Sequence, residues 1–556
     1  MLREGITGLA DTTHDLCIVG SGPVGLALAS DLARRGQRVL VLESGTRKSD
    51  PQIQLLSAAD ILDPSSHEDM AIAVARRLGG TSNLWGARCI PFDPIDFEDR
   101  DWINARWPIG YNDMAPWLPA AVDVTQSGAP VYREAIPSFV PSDTSFQCDA
   151  LERWANIQPA QVIHSDTIEH DTNIDLRTLA TVTGIEFAEN GCVEAVIVAH
   201  SLSGATSRVP VRQLVIATGG LEATRLLLAA QADESSRFGG ENGPLGRYYM
   251  GHLCSEIADI TLNNRLDEAF DFHIDAYGSY VRRRLAAAPE TQREHRLLNT
   301  TFWPIVPPIA DSGHGSAILS LVYMAMRIGP LGRLLVAETI RRKQAPAASI
   351  FPHIGNLVTG LPQATHFGID FLRRRYLGTA RVPGFFVHNR AHRYGLTFHA
   401  EQAPNAESRV KLIDRRDRLG LPQLRIDYRF STQDIDSVVR SHDLLEGWLA
   451  RTGMGRINYR VPRDARGEAV AAQCTHGTHH IGLSRMAADR RNGVVNGDLQ
   501  TFDAPNLYIA STSVLPTSGQ ANPTLTAIAL ALRLSARLAA GTAQPLAVRG
   551  KVVKEK

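Results

Sequence analysis

The apolar residues near the start of the chain come in short blocks rather than long stripes. Residues 16–19 read LCIV, an unbroken run of the kind a parallel strand covered on both faces requires. A helical pattern opens at Gly22 and stops at Gly36, a residue suited to a left-handed cap. Residues 38–42 then return as a second apolar run that ends on Glu43. Within 175–201, two alternating runs flank Glu189-Asn190-Gly191, which predicts a hairpin. Residues 211–230, VRQLVIATGGLEATRLLLAA, repeat the opening order of strand, paired glycines and helix. They predict a further strand of the same sheet, reached after an insertion.

Farther along, the pattern changes to alternation. Residues 315–322, 395–400, 409–412 and 422–428 are predicted strands, 432–449 a helix, and Gly420 with Pro422 closes a loop between two of the strands. Residues 504–516 form another buried run leading into a polar loop, and 518–539 begin polar before becoming a helix too apolar to face solvent on every side. The fold class expected is α/β plus β: a Rossmann-like domain assembled from discontinuous segments, covered by a substrate domain built on a large, mostly antiparallel sheet.

Chemistry enters with the glycines. Gly20, Gly22 and Gly25 fall in G-x-G-x-x-G spacing between the first strand and the first helix. The first suits the tight turn, the second lets backbone approach a pyrophosphate, and the third lets helix pack on strand. Phosphates would rest on the helix N-terminus, where unpaired N–H groups and the dipole favour anions. Glu43 follows by about 20 residues, the place for an acid that meets a ribose hydroxyl. The motif closes in Glu, as in flavoproteins that bind the ADP half of FAD, yet by itself it does not separate FAD from NAD.

Three further stretches resist a regular reading. Residues 76–97, RRLGGTSNLWGARCIPFDPIDF, suggest backbone packed closely against something flat. In 107–117 Asn112 is placed to cap the next helix. Residues 244–252, PLGRYYMGH, end on His252, read as a structural histidine. Near the C-terminus, THGTHHIGLSRM brings together His476, His479 and His480. With no acid at ligand spacing and only Cys474 nearby, they do not make a metal site. Asn522 and Pro523 suit the N-cap and first position of the last helix, whose N-terminus would favour negative charge on a reduced flavin.

Bulk properties narrow the classes. The 556 residues allow two or more domains, and 58 basic against 58 acidic side chains give no field that would recruit nucleic acid. The six cysteines are scattered without a C-x-x-C pair, which argues for a reducing compartment. The first residues lack the apolar core of a secretory signal, and no uncharged apolar run reaches membrane-span length, so a cytoplasmic location is expected. Clustered arginines in 331–342 and 371–376 read as solvated helix faces, with an anionic surface as the alternative.

Taken jointly, GSGPVG with Glu43, GGTSNLWG, ATGGLEATRLL with PLGRYYMGH, and the HxxGxxRM…NPTLTAIALA ending resemble the glucose-methanol-choline (GMC) flavoprotein oxidoreductases over nearly the whole chain. The ending is most similar to the branch of pyranose 2-oxidase and the bacterial glycoside 3-oxidases and 3-dehydrogenases, which pairs His with Asn. The resemblance implies an FAD domain at 1–110, 175–255 and 470–545, a substrate domain at 111–174 and 256–469, and a disordered tail at 546–556. It implies cofactor contacts from Gly20, Gly22, Pro23, Val24 and Gly25, from Glu43 and Ser44, and from Arg77, Gly80, Thr81, Asn83, Leu84, Trp85 and Gly86. Val182, Ala217, Thr218 and Gly219 would follow, with Asn522, Pro523 and Thr524 from the last segment.

His479 becomes the general base for an alcohol and Asn522 its partner, with His476 and His480 in support. Pyranose 2-oxidase carries a flavin-linked histidine where this chain has Leu84, so the FAD expected here is non-covalent. The activity implied is oxidation of a secondary alcohol of a sugar or glycoside to a ketone. Alternatives are a hydroxyl on a non-sugar or antibiotic-type natural product, and a redox-silent lyase on the same fold. Oxygen or a quinone would take the electrons, and an oligomer is left open.

Overall fold

The computed structural model describes residues 2–11, 13–137, 139–328, 330–332, 341 and 349–542. Its organising layer is a six-stranded parallel sheet in the order Leu2–Glu4, Ile174–Thr178, Val39–Leu42, Leu16–Val19, Leu214–Ile216, Leu507–Ile509. Strands from both ends of the chain thus pair side by side. Leu16–Val19 and Val39–Leu42 are buried along their whole length, as unbroken apolar runs in a sheet covered on both faces should be.

Three helices leave this layer toward the site: α1 (Pro23–Arg34), α2 (Gly220–Asp233) and α3 (Thr524–Thr542). α3 packs on α1 and on the short helix Leu118–Val124. It is long and apolar enough to cross a membrane, but its buried leucines and alanines sit in the main hydrophobic core, as in the central helix of a globular domain. Tyr111–Met114 and Leu118–Val124, read from the sequence with the substrate domain, also pack on this core.

The second layer is a seven-stranded antiparallel sheet. Its path runs His273–Ile274, Tyr280–Ala287, Thr300–Ile305, Arg393–Glu401, His252–Leu262, Gly455–Tyr459, and Phe146–Arg153 pairs with Tyr280–Ala287. The long helix Thr432–Thr452 lies on it, opened by a Ser431/Asp434 capping box and stopped at left-handed Gly453. Its Trp448 and Leu449 join Phe302 and Phe398 in one core. The hairpin expected around Glu189-Asn190-Gly191 is present as Ala180–Phe187 and Val193–His200.

Two local expectations fail. Residues 315–322 are not a strand but the start of helix Ala317–Arg327. Ser316 accepts from the Leu319 N–H at 3.3 Å, and the buried Ile318, Leu319, Val322 and Met326 share a helical face, so the alternation there was too short to separate the two periods. Asn112 is not a cap either: the helix begins at Tyr111, with Gly110 as N-cap and Asp113 reaching back to the Gly110 N–H at 2.8 Å. The tail 546–556 and most of 331–342 lie outside the described residues.

Candidate active site

The glycine turn does its work by what it leaves out. A Cβ on Gly25 would overlap the Gly20 carbonyl, so α1 can lie on the turn only with glycine there. A Cβ on Gly22 would instead meet nothing within 4 Å, and Gly22 lines a large cavity. The second glycine loop lies across it: a Cβ on Gly80 would come within 3.0 Å of the Gly22 Cα. Glu43, buried at the end of its strand, accepts from the Ser21 N–H (3.0 Å) and hydroxyl (2.5 Å) with Oε2 and from the Gly45 N–H (2.7 Å) with Oε1. The acid therefore braces the turn as well as facing the cavity.

That cavity has a volume of about 1240 Å³, more than the roughly 300–1,000 Å³ of a single drug-sized ligand. It is lined by Gly20, Gly22, Pro23, Val24, Glu43, Ser44, Arg77, Gly80, Thr81, Leu84, Trp85, Gly86, Val182, Ala217, Thr218, Gly219, Asn522, Pro523 and Thr524. The N-termini of α1, α2 and α3 all open onto it. Two residues expected to touch cofactor do not line it. Gly25 sits behind the turn, for the packing reason above. Asn83 donates to the Leu78 (3.0 Å) and Gly80 (2.8 Å) carbonyls and accepts from Gln161 (2.8 Å), so it shapes the loop from behind.

Arg76 was missed by sequence reasoning, which singled out its neighbour. It lines the cavity, donates to the Ser44 hydroxyl at 3.0 Å, and forms a partly exposed ion pair with Glu222 of α2 at 2.5 Å. Arg77 also lines the cavity, but its Nη2 is committed to the Arg47 carbonyl at 2.6 Å.

The donor set fits a dinucleotide. Thr218 Oγ1, on the loop before α2, is buried without a hydrogen-bond partner among the described residues, and Thr218 lines this cavity. Buried polar atoms left open are costly unless a ligand or water answers them. The open space over Gly22 and the three helix N-termini give a pyrophosphate its place.

At the other end of the cavity His479 and Asn522 meet, Nε2 to Nδ2, at 3.1 Å. They are 43 residues apart in sequence and come from different segments. Asn522 Oδ1 accepts no hydrogen bond, so the residue does not act as the cap its position suggests. Its carboxamide faces the imidazole instead.

His252, expected to be structural, stands directly behind His479. Backbone pairing of Met250 with Ile481 (3.0 and 3.1 Å) draws the two segments together, and the two Nδ1 atoms lie 2.7 Å apart. His252 Nε2 faces the Ser518 carbonyl at 3.2 Å, an acceptor only, so that nitrogen carries the proton. Its Nδ1 must then accept from His479 Nδ1–H, which leaves His479 Nε2 as a lone pair directed at Asn522 and the cavity. The chain from carbonyl through two imidazoles fixes the tautomer a proton acceptor needs.

The surroundings keep these rings neutral. Burial pushes the His479 pKa well below its ordinary value, and His252, His476 and His399 add to the effect. Burial takes His252 down to about 3, although the carbonyls of Ser518, Gly519 and Ala521 oppose it. His399 stacks on His252 with centroids 4.2 Å apart, and its Nδ1 meets the Gln520 carbonyl at 2.6 Å. His476 lines the cavity, and His480 does too while its Nε2 meets the Gly477 carbonyl at 2.9 Å.

His252, His399 and His479 offer three ring nitrogens within 4.8 Å of one another. The Nδ1 atom of each is already engaged in a protein hydrogen bond, which gives this trio the chemistry of an imidazole relay.

A family model described as GMC oxidoreductase matches residues 404–531, and one described as an NAD(P)-binding Rossmann-like domain matches 18–49. Paromamine 6'-oxidase of Streptomyces fradiae is 22% identical over 96% of this chain and 92% of its own length. C-glycoside 3-oxidase of Arthrobacter globiformis is 31% identical over 28% of each chain. Among solved structures, pyridoxine 4-oxidase from Mesorbium loti shares the fold with a TM-score of 0.53 at 15% identity, covering 94% of this chain and 99% of that one. With the dinucleotide cradle at one end of the cavity and the imidazole relay at the other, and with residues 404–531 matching the GMC oxidoreductase model, the chain is similar to the GMC oxidoreductases along nearly its whole length and is an FAD-dependent oxidoreductase acting on CH–OH donors.

Proposed function

We propose that the enzyme oxidises a secondary alcohol of a sugar or glycoside to a ketone, with non-covalent FAD and His479 as the general base. The observation that carries this reading is the pairing of His479 Nε2 with the Asn522 carboxamide at 3.1 Å on the cavity wall. A substrate hydroxyl seated between them donates its proton to His479 Nε2 and accepts from Asn522 Nδ2. As the O–H bond breaks toward the imidazole, the carbinol C–H bond breaks with its electron pair and C=O forms. When bound, the flavin supplies the acceptor for that hydride.

His252 holds His479 in the tautomer that can take the proton, and burial keeps the imidazole neutral well below pH 6.5. The N-terminus of α3 favours negative charge at the cavity by up to ~2 kcal/mol. Leu84 places no nucleophile on the wall where a covalent link would form, and that supports non-covalent FAD. All six cysteines lie among the described residues and none forms a disulfide, in keeping with a cytoplasmic location.

Two full-length relatives are named for oxidation of paromamine and of 6'''-hydroxyparomomycin C, which favours an aminoglycoside-type antibiotic as the second reading. The test is anaerobic reduction of the bound flavin by a panel of sugars, glycosides and aminoglycosides. His479→Ala should retain FAD and slow that reduction by about 10²- to 10⁴-fold. An unchanged reductive rate in this variant would overturn the assignment.

A further inference from the structure

The wall of the cavity beyond His399 carries two guanidiniums that lean on one carboxylate. Trp303 lies next to His399 with centroids 6.4 Å apart, and His399 is 6.2 Å from His479. The Arg88 guanidinium sits 4.8 Å over the Trp303 ring and 5.8 Å from Trp154. Arg282 sits 4.8 Å over Phe272 and 5.2 Å over the same Trp303. All seven residues line the cavity.

Both arginines share one carboxylate. Glu152 is fully buried and meets Arg88 Nε at 3.0 Å and Arg282 Nε at 2.6 Å. Burial alone would raise its carboxyl, yet Arg282 and Arg88 hold it below the usual value. Arg284 behind them donates to Gln520 at 2.6 Å, and Gln520 in turn donates to Asp93 at 2.9 Å, so that acid answers Arg284. Of the other acids lining the cavity, Glu43, Glu222 and Asp417 stand in the nucleotide half, Glu68 follows His67, and Glu256 is met by Arg460 at 3.2 Å. Arg88 and Arg282 on this wall therefore share the single carboxylate of Glu152. Neither Nη of Arg88 donates a hydrogen bond to a described residue, and the guanidinium, one-fifth exposed, is flanked by the Trp303 and Trp154 rings on the cavity wall. A guanidinium fork open to the cavity and flanked by aromatic faces is matched by a planar anion.

We propose that this wall selects an alcohol carrying an anionic group, a carboxylate remote from the carbinol, and rejects alcohols carrying ammonium groups. The proposal rests on the reading that the carbinol sits at His479 and Asn522, and it narrows the substrate class to acidic sugars or acidic glycosides. Aromatic faces at Trp303, Trp154 and Phe272 give such a substrate a flat surface to stack on. An ammonium group would meet like charge there in a low-dielectric site.

The test uses FAD-loaded enzyme under anaerobic conditions and two matched series. One is methyl glucuronide, methyl glucoside and methyl amino-deoxyglucoside, and the other is phenyl glucoside with a para carboxylate, methyl or aminomethyl group on the phenyl ring. Binding is read by calorimetry and by perturbation of the flavin spectrum, separately from flavin reduction. The carboxylate member should bind at least about tenfold tighter than the ammonium member, with the margin shrinking as salt rises. Arg88→Met should erase the order, Arg88→Lys should keep much of it, and His479→Gln should keep the order while losing reduction.

Equal or tighter binding of the ammonium members, failure of both acids to bind, or an order that survives Arg88→Met would overturn the proposal. If the acids bind preferentially but no alcohol reduces the flavin, charge selection stands and the assigned reaction falls. If alcohols reduce the flavin without regard to charge, the reaction stands and charge selection falls.

Discussion

The two halves of the cavity are built in opposite ways. The nucleotide half is made of backbone: a glycine turn, a second glycine loop laid across it, and helix N-termini aimed at one space. The carbinol half is made of side chains from four separate segments, His252, His399, His479 and Asn522, tied by hydrogen bonds and ring stacking. Backbone sites tolerate almost no added volume at one glycine and accept it freely at the next. Side-chain sites depend instead on which nitrogen carries a proton. The first is a matter of space, the second of hydrogen-bond direction.

The sharpest way to break that contrast is at the glycines. Gly25→Val should abolish the holoenzyme, because its Cβ would overlap the Gly20 carbonyl. Colourless or insoluble protein is the expected result. Gly22→Ala should fold with unchanged apo stability, since a methyl there meets nothing, but should loosen FAD because the methyl enters the cavity. Thermal melting without flavin and a flavin titration separate the two. Equal behaviour of the two variants would mean that the turn is not read by space.

A smaller effect is expected behind the base. His252→Leu removes the acceptor for His479 Nδ1–H while leaving FAD contacts alone. Flavin reduction should slow by about tenfold, below the loss in His479→Ala, with the change in the rate constant rather than in substrate affinity. The acid limb of the rate profile should move up, because His252 is one of the neighbours holding the His479 pKa down. His252→Gln, which offers a carboxamide oxygen, should recover part of the rate. A role in packing alone would shift stability but leave the limb in place.

What could be read from the chain follows the same division. Gly20, Gly22, Gly25 and Glu43 were legible because a backbone site is written as local spacing, with strand, turn and helix within one stretch. Asn83 was over-read on the same grounds, since a loop residue can hold the loop without facing its contents. His479 and Asn522 were legible only through a motif shared with relatives. His252 carried a weak signal at the end of PLGRYYMGH, and its partner depends on the Met250–Ile481 backbone pairing between distant segments. The Arg88–Glu152–Arg282 wall carried none, because the shared carboxylate exists only once two strands and a loop are assembled. Residues 315–322 failed for a plainer reason: a short apolar run fits both periods.

The slightest expected effect separates the halves by pH. Six histidines crowd the carbinol half: His67, His252, His399, His476 and His480, all buried, and His479, partly open to the cavity. Burial depresses all of them, to about 4 for His67 and His480 and about 3 for His252. In the nucleotide half His164, bonded to Ser30 at 3.0 Å, is likewise held at about 4 by burial. Each of these rings is neutral in the folded protein at pH values where the unfolded chain, with an ordinary pKa near 6.5, already binds a proton. Their contribution to stability is therefore complete above about pH 6.5 and is lost as pH falls through 6 and 5 toward 4. The melting temperature of the FAD-loaded enzyme, measured at constant ionic strength, should fall steadily across that window. His164→Gln should remove only a minor share of the slope, because the other rings lie at the opposite end of the cavity. A slope that vanishes with His164 alone would reverse the comparison and make the nucleotide half the acid-sensitive one.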